Sequence, residues 1–125
     1  MKKIAFLILI FSILFGCKSQ KTIEFCEGVS PEGEGVSCGD KFSTGEITVL
    51  IKPESGFSAA NIDINIYKKL KYKNEKIDSR SLKINPEETI ANTNIYFYDE
   101  GDFILEVNEN NKKIAEGSVS IVDGY

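Results

Sequence analysis

The sequence predicts an all-β domain, an antiparallel sandwich or barrel, from three observations. Apolar residues recur with period two, turn-forming residues punctuate the runs, and no stretch sustains a helical period. Ile47, Val49 and Ile51 alternate with Glu46, Thr48 and Lys52. Ile62, Ile64 and Ile66 alternate with Asp63, Asn65 and Tyr67, and Phe103, Leu105 and Val107 with Glu106 and Asn108. Successive strand side chains point to opposite faces, so each run reads as a half-buried strand. Residues 81–84, 90–98 and 114–122 are shorter candidates. Turn signals separate them: Lys52-Pro53-Glu54-Ser55-Gly56, Asn85-Pro86, Asp99-Glu100-Gly101 and Asn110-Asn111. Residues 67–76 alone are compatible with a helix.

The opening segment follows different rules. Lys2 and Lys3 precede a 12-residue run, 4–15, that is apolar except at Ser12 and stops at Gly16-Cys17. A basic start, an apolar stretch and a small residue before a cut site make a secretory signal peptide. The run is too short for a transmembrane helix, which needs about 20 residues.

Leu14-Phe15-Gly16-Cys17 resembles the lipobox of bacterial lipoproteins, although Phe15 stands where a smaller residue is usual. The resemblance implies that residues 1–16 are removed and that Cys17 carries the lipid. Two or three acyl chains, at roughly 0.8 kcal/mol per buried CH₂, hold far more firmly than one. The expected partner is therefore the membrane, reached through lipid on Cys17, with residues 17–25 as a polar tether. Lys18 after the lipid-bearing cysteine points to the outer membrane or cell surface by the enterobacterial sorting rule.

Loss of Lys2 and Lys3 leaves 13 basic and 19 acidic side chains, a net charge of −6 on 109 residues. That length suits one domain. The acidity argues against nucleic acid, whose affinity comes largely from neutralised phosphates. Cys26 and Cys38 form an even pair in an exported chain and read as a disulfide. The bridge would close the glycine-rich residues 26–40 into a loop, a constraint of about 3 kcal/mol by chain entropy. A zinc site is the poorer reading, because the chain has no histidine and no C-x-x-C. No cofactor is implied.

Within the β region, Tyr98-Asp99-Glu100-Gly101-Asp102-Phe103-Ile104-Leu105 resembles the D-x-G-x-Y-x-C corner of immunoglobulin-like domains. The resemblance implies that Asp99 and Gly101 hold a turn from one sheet into the other and that Phe103 replaces the corner tyrosine. Without a tryptophan an antibody-type domain is excluded. The expectation narrows to an Ig-like or fibronectin-like sandwich of about seven short strands over residues 41–125. Arg80, the sole arginine, is the expected neighbour of Asp99.

Tyr67, Lys68, Lys69, Lys71, Tyr72 and Lys73 form a basic, aromatic cluster on an acidic protein. It is either a patch for an anionic partner or an exposed hairpin whose lysines keep a sheet edge from pairing. Acids gather at Glu24, Glu27, Glu32 and Glu34, and at Asp99, Glu100 and Asp102, without the spacing of a calcium loop. Gly35-Val36-Ser37-Cys38-Gly39 matches the G-x-S-x-G nucleophile elbow by letters only: neither the strand and helix around it nor a histidine base is present.

The expected function is non-catalytic binding of a protein or envelope partner by a lipid-anchored module. A structural or assembly accessory of the envelope is the alternative, and a hydrolytic enzyme is the poorest reading.

Overall fold

The computed structural model describes residues 21–123. The segment 1–16, expected to be a signal peptide, and Cys17, expected to carry lipid, lie outside them. Nine strands follow in chain order: β1 Ile23–Val29, β2 Gly35–Gly39, β3 Lys41–Ser43, β4 Gly45–Ile51, β5 Asn61–Lys69, β6 Asn74–Lys83, β7 Ala91–Phe97, β8 Gly101–Glu109 and β9 Lys112–Val122. They form two sheets, ordered β2-β1-β4-β7 and β3-β9-β8-β5-β6. All pairings are antiparallel except β3 with β9.

That order is immunoglobulin-like. With β7 and β8 as strands E and F, β1, β4 and β7 make the A-B-E sheet. Strands β9, β8, β5 and β6 make the G-F-C-C′ sheet. The period-two runs build the facing layers. Ile47, Val49 and Ile51 of β4, with Ile95 and Phe97 of β7, pack against Ile62, Ile64 and Ile66 of β5 and Phe103, Leu105 and Val107 of β8. Apolar burial contributes about 25 cal/mol per Å², so these rows supply most of the cohesion.

The sandwich begins earlier in the chain than expected. Ile23 and Phe25 are buried core residues of β1, paired with Ile51 and Val49 of β4, so the tether assigned to 17–25 stops short of Ile23. Only two core positions alternate before Cys26 and Glu27 interrupt the pattern, too few to register as a strand. Residues 26–40 are not a separate loop either. They complete β1 and return as β2, with Cys26 directly opposite Cys38 in the ladder. The disulfide joins these two residues.

Gly117 makes the early start possible. It faces the core from β9 opposite Leu105, and a Cβ there would lie 2.8 Å from Ile23 Cβ and 3.2 Å from Phe25 Cε2. A bare backbone at that point lets β1 pack against the second sheet.

Two further expectations change. The strands number nine rather than about seven. Residues 67–76, compatible with a helix, instead finish β5, turn, and start β6, the turn closed by Leu70 N donating to Lys73 O. Charged and polar side chains alternate poorly along β6, which is exposed over most of its length. Its sheet-edge position explains why no period-two signal marked it.

Candidate functional site

The two sheets leave two open sides. On one, β2 and β3 are the outermost strands; on the other, β6 and β7. The first side is sealed by the chain itself. It passes from β2 to β3 through Asp40, whose carbonyl accepts from Ser120 N at 2.8 Å, and Thr44 N donates to Val122 O at 3.1 Å. The Cys26–Cys38 bridge ties β2 to β1. An open depression of about 510 Å³ remains there, lined by Glu27, Lys41, Glu46 and several main-chain segments.

On the second side the chain crosses only at one end, through residues 84–90 between β6 and β7, and among the described residues no strand ladder joins the two sheets along the rest of it. Strand β7 is bonded to β4 on one flank, leaving its other flank toward β6. Arg80, on β6, spans the gap: its Nη1 donates to Asn94 O at 3.1 Å and its Nη2 to Asp78 Oδ2 at 3.3 Å. The pairing expected between Arg80 and Asp99 is therefore replaced. Arg80 pairs with its own strand neighbour Asp78 and with the β7 backbone, because it sits level with Asn94, while the β6 residues that reach the corner groove are Ile77 and Asp78. One cation so placed blocks a bare strand edge from unwanted pairing.

Beyond Arg80, toward the C-terminal end of β7, the gap widens to a groove of about 210 Å³. Ile66, Ile95, Phe97 and Phe103 form its floor, Ile77 and Asp78 one wall, and Tyr96, Tyr98 and Asp99 the other. Tyr96 and Tyr98 are 53% and 79% exposed, with ring centroids 4.7 Å apart. Residues two apart share a strand face, which is why the rings meet. Ile77 is exposed beside them. Large amphipathic rings held side by side in water are the side chains most enriched at binding hot spots.

The corner residues frame this groove. Between β7 and β8 the chain crosses from the first sheet to the second through residues 98–100. Gly101 takes φ +147°, a backbone conformation that side chains resist, and starts β8. Phe103 is buried and packs on Phe97 with centroids 5.0 Å apart. Asp99 stays exposed and makes no ion pair or side-chain hydrogen bond among the described residues.

The basic cluster lies at the same end of the sandwich. Tyr67, Lys68 and Lys69 close β5, and Lys71, Tyr72 and Lys73 occupy the turn, with Tyr72 89% exposed. Lys68 Nζ sits 5.9 Å above the Phe103 ring, Lys71 Nζ 5.5 Å from the Tyr72 ring and Lys76 Nζ 6.0 Å from that of Tyr67. Much of the cluster thus covers its own aromatic neighbours, and the turn projects beyond the sheet.

One polar site had no motif to announce it. The core-facing row of β8, Phe103, Leu105 and Val107, ends in Glu109, which is buried. Its carboxylate accepts from Ser58 N at 2.8 Å, Ser58 Oγ at 2.6 Å and Ala59 N at 2.9 Å. The Ser58 hydroxyl bond, with the two backbone N–H groups and Lys112, holds its pKa below 4.5 against the opposing effect of burial. It pins the loop between β4 and β5, a structural role. The continuation of the alternating row into an acid was the only sequence signal.

Glu24, Cys26 and Cys38 bring possible metal-ligand atoms within 4.8 Å of one another. Both sulfurs are spent in the disulfide, and Glu24 pairs with Lys52 at 3.3 Å, so the donor set does not suit a metal. No protein-family model matches the chain, and no curated protein matches its sequence.

Proposed function

We propose that this protein is a lipid-anchored envelope or surface module that binds a protein partner without catalysing a reaction. The observation that carries the reading is the exposed Tyr96–Tyr98 pair beside an unpaired strand flank, at the end of the sandwich opposite the N-terminal tether. The polarity follows from register. Thr22 O accepts from Lys52 N, and Ile23 pairs with Ile51, which pairs with Ala91 at the start of β7. From Ala91 to Phe97 the strand climbs about 20 Å away from that entry point. The five residues between Cys17 and β1's approach, 18–22, reach at most about 17 Å when extended. A lipid on Cys17 thus keeps one end of the sandwich near the bilayer and presents the tyrosines, the corner and the lysine turn outward.

The experiment replaces Tyr98 or, as a control at the tethered end, Glu87 with a photo-crosslinking amino acid in intact cells. A discrete adduct from position 98 and none from 87 is the expected outcome. Equal or absent labelling at both positions removes the basis for the reading. Acyl mass on Cys17 in the membrane-extracted protein tests the anchor separately.

A further inference from the structure

We infer that the β7 flank binds its partner by strand addition, taking an extended peptide segment that carries an aliphatic or aromatic side chain next to a lysine or arginine. The inference rests on the binding-module reading and specifies its chemistry. Within a strand, the N–H and C=O of one residue point to the same flank and those of the next to the other. Arg80 reaches Asn94 O from the β6 side, so the main-chain groups of Asn94 face the gap. Those of Tyr96, two residues on, face it too. A sheet edge with unpaired main-chain groups is a template for another strand.

Three features select the occupant. The groove beside Tyr96 holds about 210 Å³, below the range of drug-sized ligand sites and suited to a single large side chain. Ile77, Tyr96 and Tyr98 rim an apolar floor. The charged residues lining it are Asp78 and Asp99, both acidic, and of these Asp78 is offset by Arg80 while Asp99 is not. A cationic side chain flanking the anchor complements Asp99. Arg80 occupies Asn94 O, so the added strand is short and centred on Tyr96. A second copy of this chain carries the same net negative charge, −4 over the full sequence, which favours a different, basic segment as donor.

The probe is a random peptide library displayed on phage, panned against the full-length chain in detergent and counter-selected on the Tyr96→Ala, Tyr98→Ala double variant. Enriched peptides are resynthesised with N-methyl groups on one or the other alternating set of backbone nitrogens. The expected result is a set of peptides pairing an apolar anchor with Lys or Arg. One N-methyl register should weaken binding on the order of tenfold and the other little, because each lost main-chain bond leaves an unpaired group. Asp99→Asn should lower affinity about threefold and erase the preference for a basic residue. Equal tolerance of both N-methyl registers overturns strand addition while leaving tyrosine-mediated binding intact. No enrichment over the double variant also overturns it, and crosslinking from position 98 then decides the broader reading. Self-association of the full-length chain with protection of the Tyr96 amide overturns the choice of donor.

Discussion

The two open sides of this sandwich are closed by different means. Across β2 and β3 the chain crosses between sheets, a disulfide binds β2 to β1, and Gly117 lets β1 sit tightly on β9. Across β6 and β7 the chain also crosses between sheets, through residues 84–90 at one end, and along the rest of the strands the gap is bridged by Arg80 and its bonds to Asn94 and Asp78. An edge stapled within its own sheet by the disulfide, and main-chain bonds from Asp40 and Thr44 to β9, make one side a structural seam. A single solvated cation makes the other a surface that a partner can remodel at small cost, since exposed ion pairs contribute at most about 1 kcal/mol. The exposed tyrosines belong to the second side. Stability and the proposed recognition are thus separated across the width of the molecule.

The sharpest way to break this contrast is to open the seam. Replacing both Cys26 and Cys38 with alanine should destabilise the fold by about 3 kcal/mol in denaturant titration. A loss no greater than that from Arg80→Ala would erase the distinction between the sides.

Gly117→Ala comes next. The new methyl would meet Ile23 Cβ at 2.8 Å, with backbone on one side and a core isoleucine on the other. Overpacking of this kind costs about 1–3 kcal/mol, read as a lowered midpoint of thermal unfolding.

Glu109 sharpens the comparison from outside both sides, at the end of the sandwich where β1 begins. Its folded pKa is lowered from 4.5, so its ionised form stabilises the fold above that pH, and the contribution fades as pH falls through 4.5 toward the folded value. Glu109→Gln should therefore cost on the order of 1 kcal/mol at neutral pH, where the charge is present. The gap between variant and wild type should close on acidification, measured by urea unfolding at several pH values.

The smallest effects belong to the recognition side. Arg80→Ala should cost less than about 1 kcal/mol. Tyr98→Ala should change stability by less than about 0.5 kcal/mol while removing most of the affinity for the selected peptides. A large folding defect in either would mean that this side, too, is structural.

How much of this was legible in advance varied with the kind of force involved. Strands β5 and β8 were legible because one face is more deeply buried than the other, which writes a period of two into the residues; β4 alternates at Glu46, Thr48 and Lys52 although Thr48 and Leu50 are buried as well. The corner at 99–101 was legible because a crossing between sheets needs turn chemistry and a residue tolerant of positive φ. The disulfide was legible from cysteine parity in a chain read as exported. Strands β1 and β2 were not, since their order comes from a cross-strand bridge and a borrowed glycine on β9 rather than from their own pattern. The partner of Arg80 was misassigned because strand neighbours are set by sheet order, which composition does not encode. The groove escaped for the same reason. Tyr96 and Tyr98 are visible in the sequence, but their exposure beside an unpaired strand flank exists only once β6 and β7 become the two edges on one side.

The sequence by itself thus determined the class of fold, the bridge and the local alternation, all of which depend on near neighbours and on water. Only the tertiary structure decided which edges stay open, which end lies opposite the start of β1 and which side chains converge. Those depend on residues far apart in the chain that meet through packing, and a one-dimensional pattern carries no record of that meeting.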